Sequence, residues 1–365
     1  MKVGIITFHR ALNYGAVLQA YALSQVISRM GIECEVIDYH NNKFENEYKR
    51  ISITSCKNYR QVASYFLFGR VRNRKWQSFI DFIQDNITLS QKKYTPDNIH
   101  ESNSDYDVFI TGSDQVWNLF LTGNDWHYFL DFVENNKRKV SYAASITTSG
   151  YDDKICSNIL ASLKNYHTVS VREQSGKQFI DSLSLPFHTH LVVDPTLLMN
   201  KNEWLALANL YPVTKRIPER YLLAYFVSPN EEYYREMYRI SELMSLPIVL
   251  INYTHRRVKG VINMLSVSPG EFVNLFSKAT FVVTNSFHGT AFSINLQRNF
   301  LYMLNRHNPE KNERILTLVE QLNLENRNVE LYPSDIGSEI DWPSVTEKLA
   351  LLRDQSILIL KAEIQ

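Results

Sequence analysis

The stretch TNSFHGTAFS, Thr284–Ser293, sets an amide, hydroxyls and an imidazole directly after the apolar run ATFVV. Buried without partners, each of these polar groups would cost free energy, so their clustering reads as a site. His288 falls where a strand gives way to a helix. An imidazole there can give and take a proton near neutral pH, with Asn285, Ser286 and Thr290 able to fix its ring and tautomer. A lone histidine is more often structural; the polar set before it and the glycine after it favour function.

Other strand ends carry polar groups too. TFHRALNYG brings His9, Arg10, Asn13 and Gly15 to a strand–helix junction, where free N–H groups attract an anion and glycine lets a ligand approach; a capped helix is the plainer alternative. In TGSDQVWN, Asp114, Gln115, Trp117 and Asn118 offer a carboxylate, amides and an indole that could hold hydroxyls or steady a cation, although an N-cap and a core tryptophan explain part of it. In SVREQSG, Arg172 follows a strand and precedes a helix, so its planar fork could bind a phosphate or carboxylate, or simply pair with Glu173. Downstream, Arg306 and Arg314 stand near a helix start, where a cation opposes the dipole; anion binding would justify them, and solvated surface charge is the competing account. THRRVKG, Thr254–Gly260, reads as a solvated basic loop that could also help bind an anionic donor or a lipid-linked acceptor.

The elements that must position these groups follow from periodicity. KVGIITF, a helical run from Asn13 to Gly31, and ECEVIDY form a β-α-β opening. Between about 41 and 100 the pattern breaks into basic, helix-like stretches, read as an insertion. Strand-like runs resume at DYDVFITG, RKVSYAAS, HTVSVRE and THLVVDP. After a charged linker they restart at YLLAYFV, LPIVLIN, ATFVVTN and NFLYML. The expected architecture is α/β with two Rossmann-like doubly wound domains, 1–200 and 201–340, and a C-terminal helix over 341–365 crossing back onto the first domain. In such sheets ligands sit beyond the carboxyl ends of the strands.

The chain has 365 residues, a length that favours two domains over one core. Its formal charge of +1 leaves no large field for nucleic acid. Three cysteines, Cys34, Cys56 and Cys156, are odd in number and widely spaced, so they read as reduced thiols with no metal site. No apolar run approaches the roughly 18 residues of a spanning helix, and a cytoplasmic location is expected. There is no G-x-S-x-G elbow, HExxH, Walker loop or EF-hand.

In NYGAVLQAYAL, GSDQVWN, SVRE, VVDPTLL and TNSFHGTAFS, in that order, the chain resembles the polysaccharide pyruvyl transferases from Gly4 to about Leu324. The resemblance implies a glycosyltransferase-B-like protein with its site in an interdomain cleft. It implies transfer of the pyruvyl group of phosphoenolpyruvate to a sugar of a cell-surface polysaccharide or its precursor, forming a ketal and releasing phosphate. No cofactor is implied beyond that donor; the acceptor would be a glycan or lipid-linked sugar, with peripheral membrane association through it. His288 matches the family histidine, and Arg172 its donor-binding arginine. Many members carry Arg-Leu before the histidine, where this chain has Ser286 and Phe287; Arg314, Arg306 or Arg10 would then supply the missing charge, or the donor differs. On this reading His288, Arg172 and Asp114 are catalytic, Asn285 and Ser286 help bind donor, and His9, Asn13, Gln115, Trp117 and Asn118 bind acceptor. The alternatives are a nucleotide-sugar-dependent glycosyltransferase and a non-catalytic glycan-binding relative.

Overall fold

The computed structural model describes residues 1–41, 43, 50, 52, 53, 58–146, 150–331 and 339–365. The chain divides into two compact units. Unit 1 comprises Met1–Lys49, Ile83–Met199 and Leu349–Gln365; unit 2 comprises Arg50–Phe82 and Asn200–Lys348.

Unit 1 holds an eight-stranded sheet. Its strands are β1 (Lys2–Ile6), β2 (Glu33–Tyr39), β3 (Leu89–Tyr94), β4 (Val108–Thr111), β5 (Asp114–Trp117), β6 (Arg138–Ile146), β7 (Thr168–Val171) and β8 (Thr189–Leu191). The order is β3-β2-β1-β4-β6-β7-β8, with β5 also paired to β6, and every pairing is parallel. Central strands are apolar on both faces, with VFIT of β4 buried throughout, because helices cover both sides of a parallel sheet. Helix α1 (Tyr14–Arg29) makes the first crossover, capped by Asn13, whose side chain accepts from the Gly15 and Ala16 N–H groups.

Unit 2 holds a five-stranded sheet of β9 (Leu222–Tyr225), β10 (Ile248–Ile251), β11 (Ile262–Met264), β12 (Phe281–Thr284) and β13 (Phe300–Tyr302). Their order is β11-β10-β9-β12-β13, again all parallel. Two parallel doubly wound sheets make this the glycosyltransferase-B-like class of α/β fold.

The insertion differs from expectation in its allegiance. Its residues Arg50–Phe82 group with unit 2 and not with the first domain, while LSQKKY returns to sheet 1 as edge strand β3. The described part contains helices α2 (Tyr59–Ser64) and α3 (Arg70–Asn86), joined by a π-helical turn, Tyr65–Gly69. Phe82 packs on Tyr211 with ring centroids 5.5 Å apart.

The last helix, Trp342–Ile364, is tied to unit 1 over its later turns. Ser356 Oγ accepts from the Val193 N–H, Arg353 Nε donates to the Leu197 carbonyl, and Arg138 Nε donates to the Glu363 carbonyl at 2.7 Å. Cys34 and Cys156 are free thiols; Cys56 lies outside the described residues.

Candidate functional site

In each sheet the strand order reverses once, and there the loops leave in opposite directions and open a crevice at the carboxyl edge. The reversal lies between β1 and β4 in unit 1 and between β9 and β12 in unit 2. The clusters after β1 and β4 fall at the first of these places and the cluster after β12 at the second, whereas Arg172 follows β7, Arg306 follows β13 and the loop Thr254–Gly260 follows β10.

At the unit 2 switch point, the loop after β12 leads into helix α5 (Phe287–Asn295), with α4 (Glu231–Met244) starting after β9. Asn285 does not point outward for a ligand as expected: its Oδ1 accepts from the Val227 N–H at 2.7 Å and its Nδ2 donates to the Val227 carbonyl at 2.9 Å, clamping the β9 loop to the β12 loop. Ser286 caps α5, its Oγ accepting from the Gly289 N–H. Thr284 Oγ1 donates to the Tyr225 carbonyl, and Thr290 Oγ1 to that of Ser286. Gly289 is required by packing, since a Cβ there would lie 2.3 Å from Thr284 Oγ1. These bonds fix the first turn of α5, which carries His288. The imidazole is 6% exposed and lies edge-on to Phe287, with ring centroids 5.0 Å apart. Helix α6 (Glu313–Gln321) packs against α5 and carries half-buried Arg314 on its first turn.

Arg306 is a correction. Its guanidinium donates to Glu232 Oε1 at 2.7 Å and to Glu330 Oε1 at 2.8 Å, beside a cavity of about 300 Å³ also lined by Glu236 and Arg239. Three carboxylates against two guanidinium groups make that cavity a poor place for a phosphate.

At the unit 1 switch point, two charged clusters form. Asp114 and Arg172, distant in sequence, come within 3.7 Å. Arg172 also reaches Asp194 at 2.5 Å and Glu173 at 3.0 Å, with its side chain 2% exposed. Burial works against its charge, but Glu173, Asp194 and Asp114 more than reverse that, so it stays protonated. With Nε on Glu173, Nη1 on Asp194 and Asp114 beside Nη2, three carboxylates surround one guanidinium and disfavour a doubly anionic donor there, so the expected donor role of Arg172 gives way to that of a hub. Asp114 stands at φ 70°, in the left-handed region that Asp tolerates better than most residues, and keeps 9% side-chain exposure.

Gly112 lets this loop fold, since a Cβ there would meet the Tyr142 carbonyl at 2.3 Å. Gln19 ties the loops after β1 and β4 together. Its Oε1 accepts from the Ser113 N–H and its Nε2 donates to Thr7 Oγ1. Gln115 is half-buried, and its Oε1 accepts from Asn118 Nδ2; Asn118 caps the following short turn. Trp117 is a second correction: it is fully buried, stacks on Phe129 and donates its single N–H to the Tyr128 carbonyl. No face of that indole is open to a sugar.

The second cluster centres on Asp38, at the end of β2. His9 Nε2, Arg10 Nη1 and His40 Nε2 lie 3.2, 3.1 and 3.2 Å from its Oδ1. Burial pushes the Asp38 carboxyl up, but the His40 and His9 N–H donors and the Arg10 charge outweigh it, leaving the carboxyl well below the usual range. His9 is fully buried, with both ring nitrogens facing acceptors, Thr7 O and Asp38 Oδ1. It therefore supports the site and does not touch an acceptor, contrary to expectation. Sequence reasoning missed Asp38, His40 and Asp194. Asp38 is the penultimate residue of β2, His40 follows that strand and Asp194 follows β8, in VIDYH and VVDP, and applying the strand-end rule to β2 and β8 would have found them. Among the described residues, no group of His, Cys, Asp and Glu is placed to hold a metal ion.

This architecture is that of glycosyltransferase-B-like α/β proteins with two parallel sheets. The UDP-GlcNAc 2-epimerase of Methanocaldococcus jannaschii, solved with UDP-GlcNAc and UDP, has a similar fold: TM-score 0.50 at 12% identity, covering 97% of this chain and 93% of that one. The enzyme from Neisseria meningitidis bound to UDP-GlcNAc gives 0.50 at 9% identity, over 100% and 99% of the two chains. A putative 2-epimerase from Listeria monocytogenes gives 0.50 at 12%, over 98% and 89%. At such identities the likeness is one of fold. No curated protein matches the chain in sequence. The family model for polysaccharide pyruvyl transferase matches residues 13–308, and the chain belongs to that family.

Proposed function

We propose that the protein transfers the pyruvyl group of phosphoenolpyruvate to a pair of hydroxyls on a sugar of a polysaccharide or its lipid-linked precursor, forming a pyruvate ketal and releasing phosphate. The observation that carries this reading is the placement of His288: an imidazole held by a capped first helical turn, at the switch point of a parallel sheet, in a member of this family. The α5 N-terminus supplies N–H groups and partial positive charge for the donor anion, with Arg314 on the neighbouring helix.

In the proposed sequence His288 donates its proton to the methylene carbon of phosphoenolpyruvate. The acceptor oxygen bonds to the adjacent carbon, and its proton passes to the His288 imidazole, left neutral by the first step. A second hydroxyl then adds at the same carbon as the C–O bond to phosphate breaks; phosphate leaves with that bond's electron pair and carries away the proton of the second hydroxyl. Within unit 1, Arg172 is a positioning residue that holds Asp114 in place, and Asp114, Gln115 and Asn118 bind hydroxyls of the acceptor glycan.

The test is mass spectrometry of candidate acceptors incubated with the protein and phosphoenolpyruvate, following pyruvyl gain and equimolar phosphate. Removing a general acid costs about 10²- to 10⁴-fold in rate, so His288→Ala and His288→Gln should both fall by that much while remaining folded. Near-normal pyruvylation by either variant would sink the assignment. Consumption of a nucleotide sugar with no use of phosphoenolpyruvate would favour glycosyl transfer instead.

A further inference from the structure

The segment Tyr59–Lys75, YRQVASYFLFGRVRNRK, contains five Lys and Arg and no Asp or Glu. Its inner side is committed to unit 2. The Phe68 ring lies 4.3 Å from that of His255, and the Val71 carbonyl accepts from Ser266 Oγ. Its outer side carries large apolar groups that the fold does not use: Tyr59, Phe66 and Leu67 are 77%, 70% and 71% exposed. Arg60, Arg70, Arg72 and Arg74 are exposed among them. The Phe68–His255 contact brings in a second basic element, the loop Tyr253–Gly260, with exposed Tyr253, Arg256, Arg257 and Lys259 and again no acid. Burial and the charges of Arg72 and Arg256 hold the His255 imidazole below its ordinary range, which is consistent with a locally positive field.

We infer that this face of unit 2 is a docking surface for an anionic lipid bilayer. Aromatic and leucine side chains flanked by arginines match the boundary between headgroups and acyl chains, where rings and aliphatic groups enter and guanidinium groups meet phosphates. A second copy of the chain fits badly. A twofold interface apposes the same patch on both partners, and here that would set cations against cations with no acid to relieve them. A neutral glycan would stack on the rings but leave the arginines without purpose. A chain with net charge +1 that gathers so many cations around unburied apolar groups has a localised partner. The inference stands on surface chemistry alone and does not depend on the proposed reaction.

The experiment is co-sedimentation of the full chain with vesicles of phosphatidylcholine alone and of phosphatidylcholine mixed with phosphatidylglycerol. Binding to the mixed vesicles is expected and binding to the neutral ones is not. Raising salt from about 0.1 to about 0.5 M should weaken it tenfold or more, as screening shortens the reach of the arginines. Phe66→Ser with Leu67→Ser, and separately Arg70→Glu with Arg74→Glu, should each lower partitioning about tenfold or more while leaving the circular dichroism unchanged. No partitioning of the unaltered protein, equal partitioning to neutral vesicles, or unchanged binding by both folded variants would overturn the proposal. So would sedimentation equilibrium showing a dimer that the Phe66→Ser, Leu67→Ser variant abolishes.

Discussion

Glu363, near the end of the last helix, is 3% exposed. Burial pushes its carboxyl up to about 8, and the Thr168 and Ser170 hydroxyls and Arg138 only partly pull it back; Thr168 Oγ1 reaches Oε1 at a long 3.4 Å. The folded protein therefore holds a proton here that the unfolded chain, near 4.5, has already released. Where the native state binds more protons, stability falls as pH rises. The contribution is flat below pH 4.5, declines by about 1.4 kcal/mol per unit from there to about 8, and is flat again above. At pH 7 the accumulated loss is about 3 kcal/mol, a large share of the roughly 5–15 kcal/mol that holds a native protein together. Glu363→Gln keeps the shape and removes the titration. Urea unfolding of both proteins from pH 4 to pH 9 should therefore show a stability difference that grows in favour of the variant between about 4.5 and 8 and then levels. The difference isolates Glu363 from His127, whose imidazole is raised to about 9: burial lowers it, and Asp131 and the Pro96 carbonyl more than compensate. That histidine's own stabilisation is complete below 6.5 and fades as pH rises through 9, equally in both proteins. Parallel pH profiles would refute the reasoning, because they would mean that Glu363 ionises inside the fold without penalty.

Gly289→Ala drives a methyl group into Thr284; such overpacking costs about 1–3 kcal/mol, and the displaced first turn of α5 should lower pyruvylation along with the melting temperature. Arg172→Met leaves Asp114, Glu173 and Asp194 as buried carboxylates facing an apolar chain. Breaking such a pairing costs about 3–5 kcal/mol, so urea titration should show a loss of that order, and a neutral outcome would remove Arg172 as the hub. Arg306→Ala should leave the KM for the proposed donor, phosphoenolpyruvate, unchanged, since Glu232 and Glu330 already engage that guanidinium; a raised KM would restore it as a donor ligand.

The two sheets are legible in the sequence because their strands are short apolar runs bounded by polar turns, and the runs at Val108, Val140, Val169, Leu222, Ile248, Phe281 and Phe300 all become strands. The strands that escape notice do so for stated reasons. LSQKKY is an edge strand whose Gln91, Lys92 and Lys93 face solvent, and INM of β11 is three residues long. The allegiance of Arg50–Phe82 rests on contacts such as Phe68 with His255 and Phe82 with Tyr211. Long-range pairings of this kind leave no periodic trace in either partner.

The site was legible in position and less so in role, and the cause is the parallel sheet itself. At a switch point adjacent strands diverge into helices on opposite faces, so the loops between them lose the ladder that joins the strands, and their backbone groups need other partners. Side chains supply them: Asn285 bonds both the N–H and the carbonyl of Val227, and Gln19 bridges Thr7 and Ser113. Amides and hydroxyls at strand ends are thus demanded by the architecture before any ligand is considered, and their presence marks the crevice without identifying what binds there. A residue whose hydrogen-bonding groups exceed what the loops require carries more information. Around His288 the capping, clamping and packing of the turn are carried by Thr284, Asn285, Ser286 and Gly289, so substitutions at those four positions test the scaffold and a substitution at His288 tests the proposed chemistry.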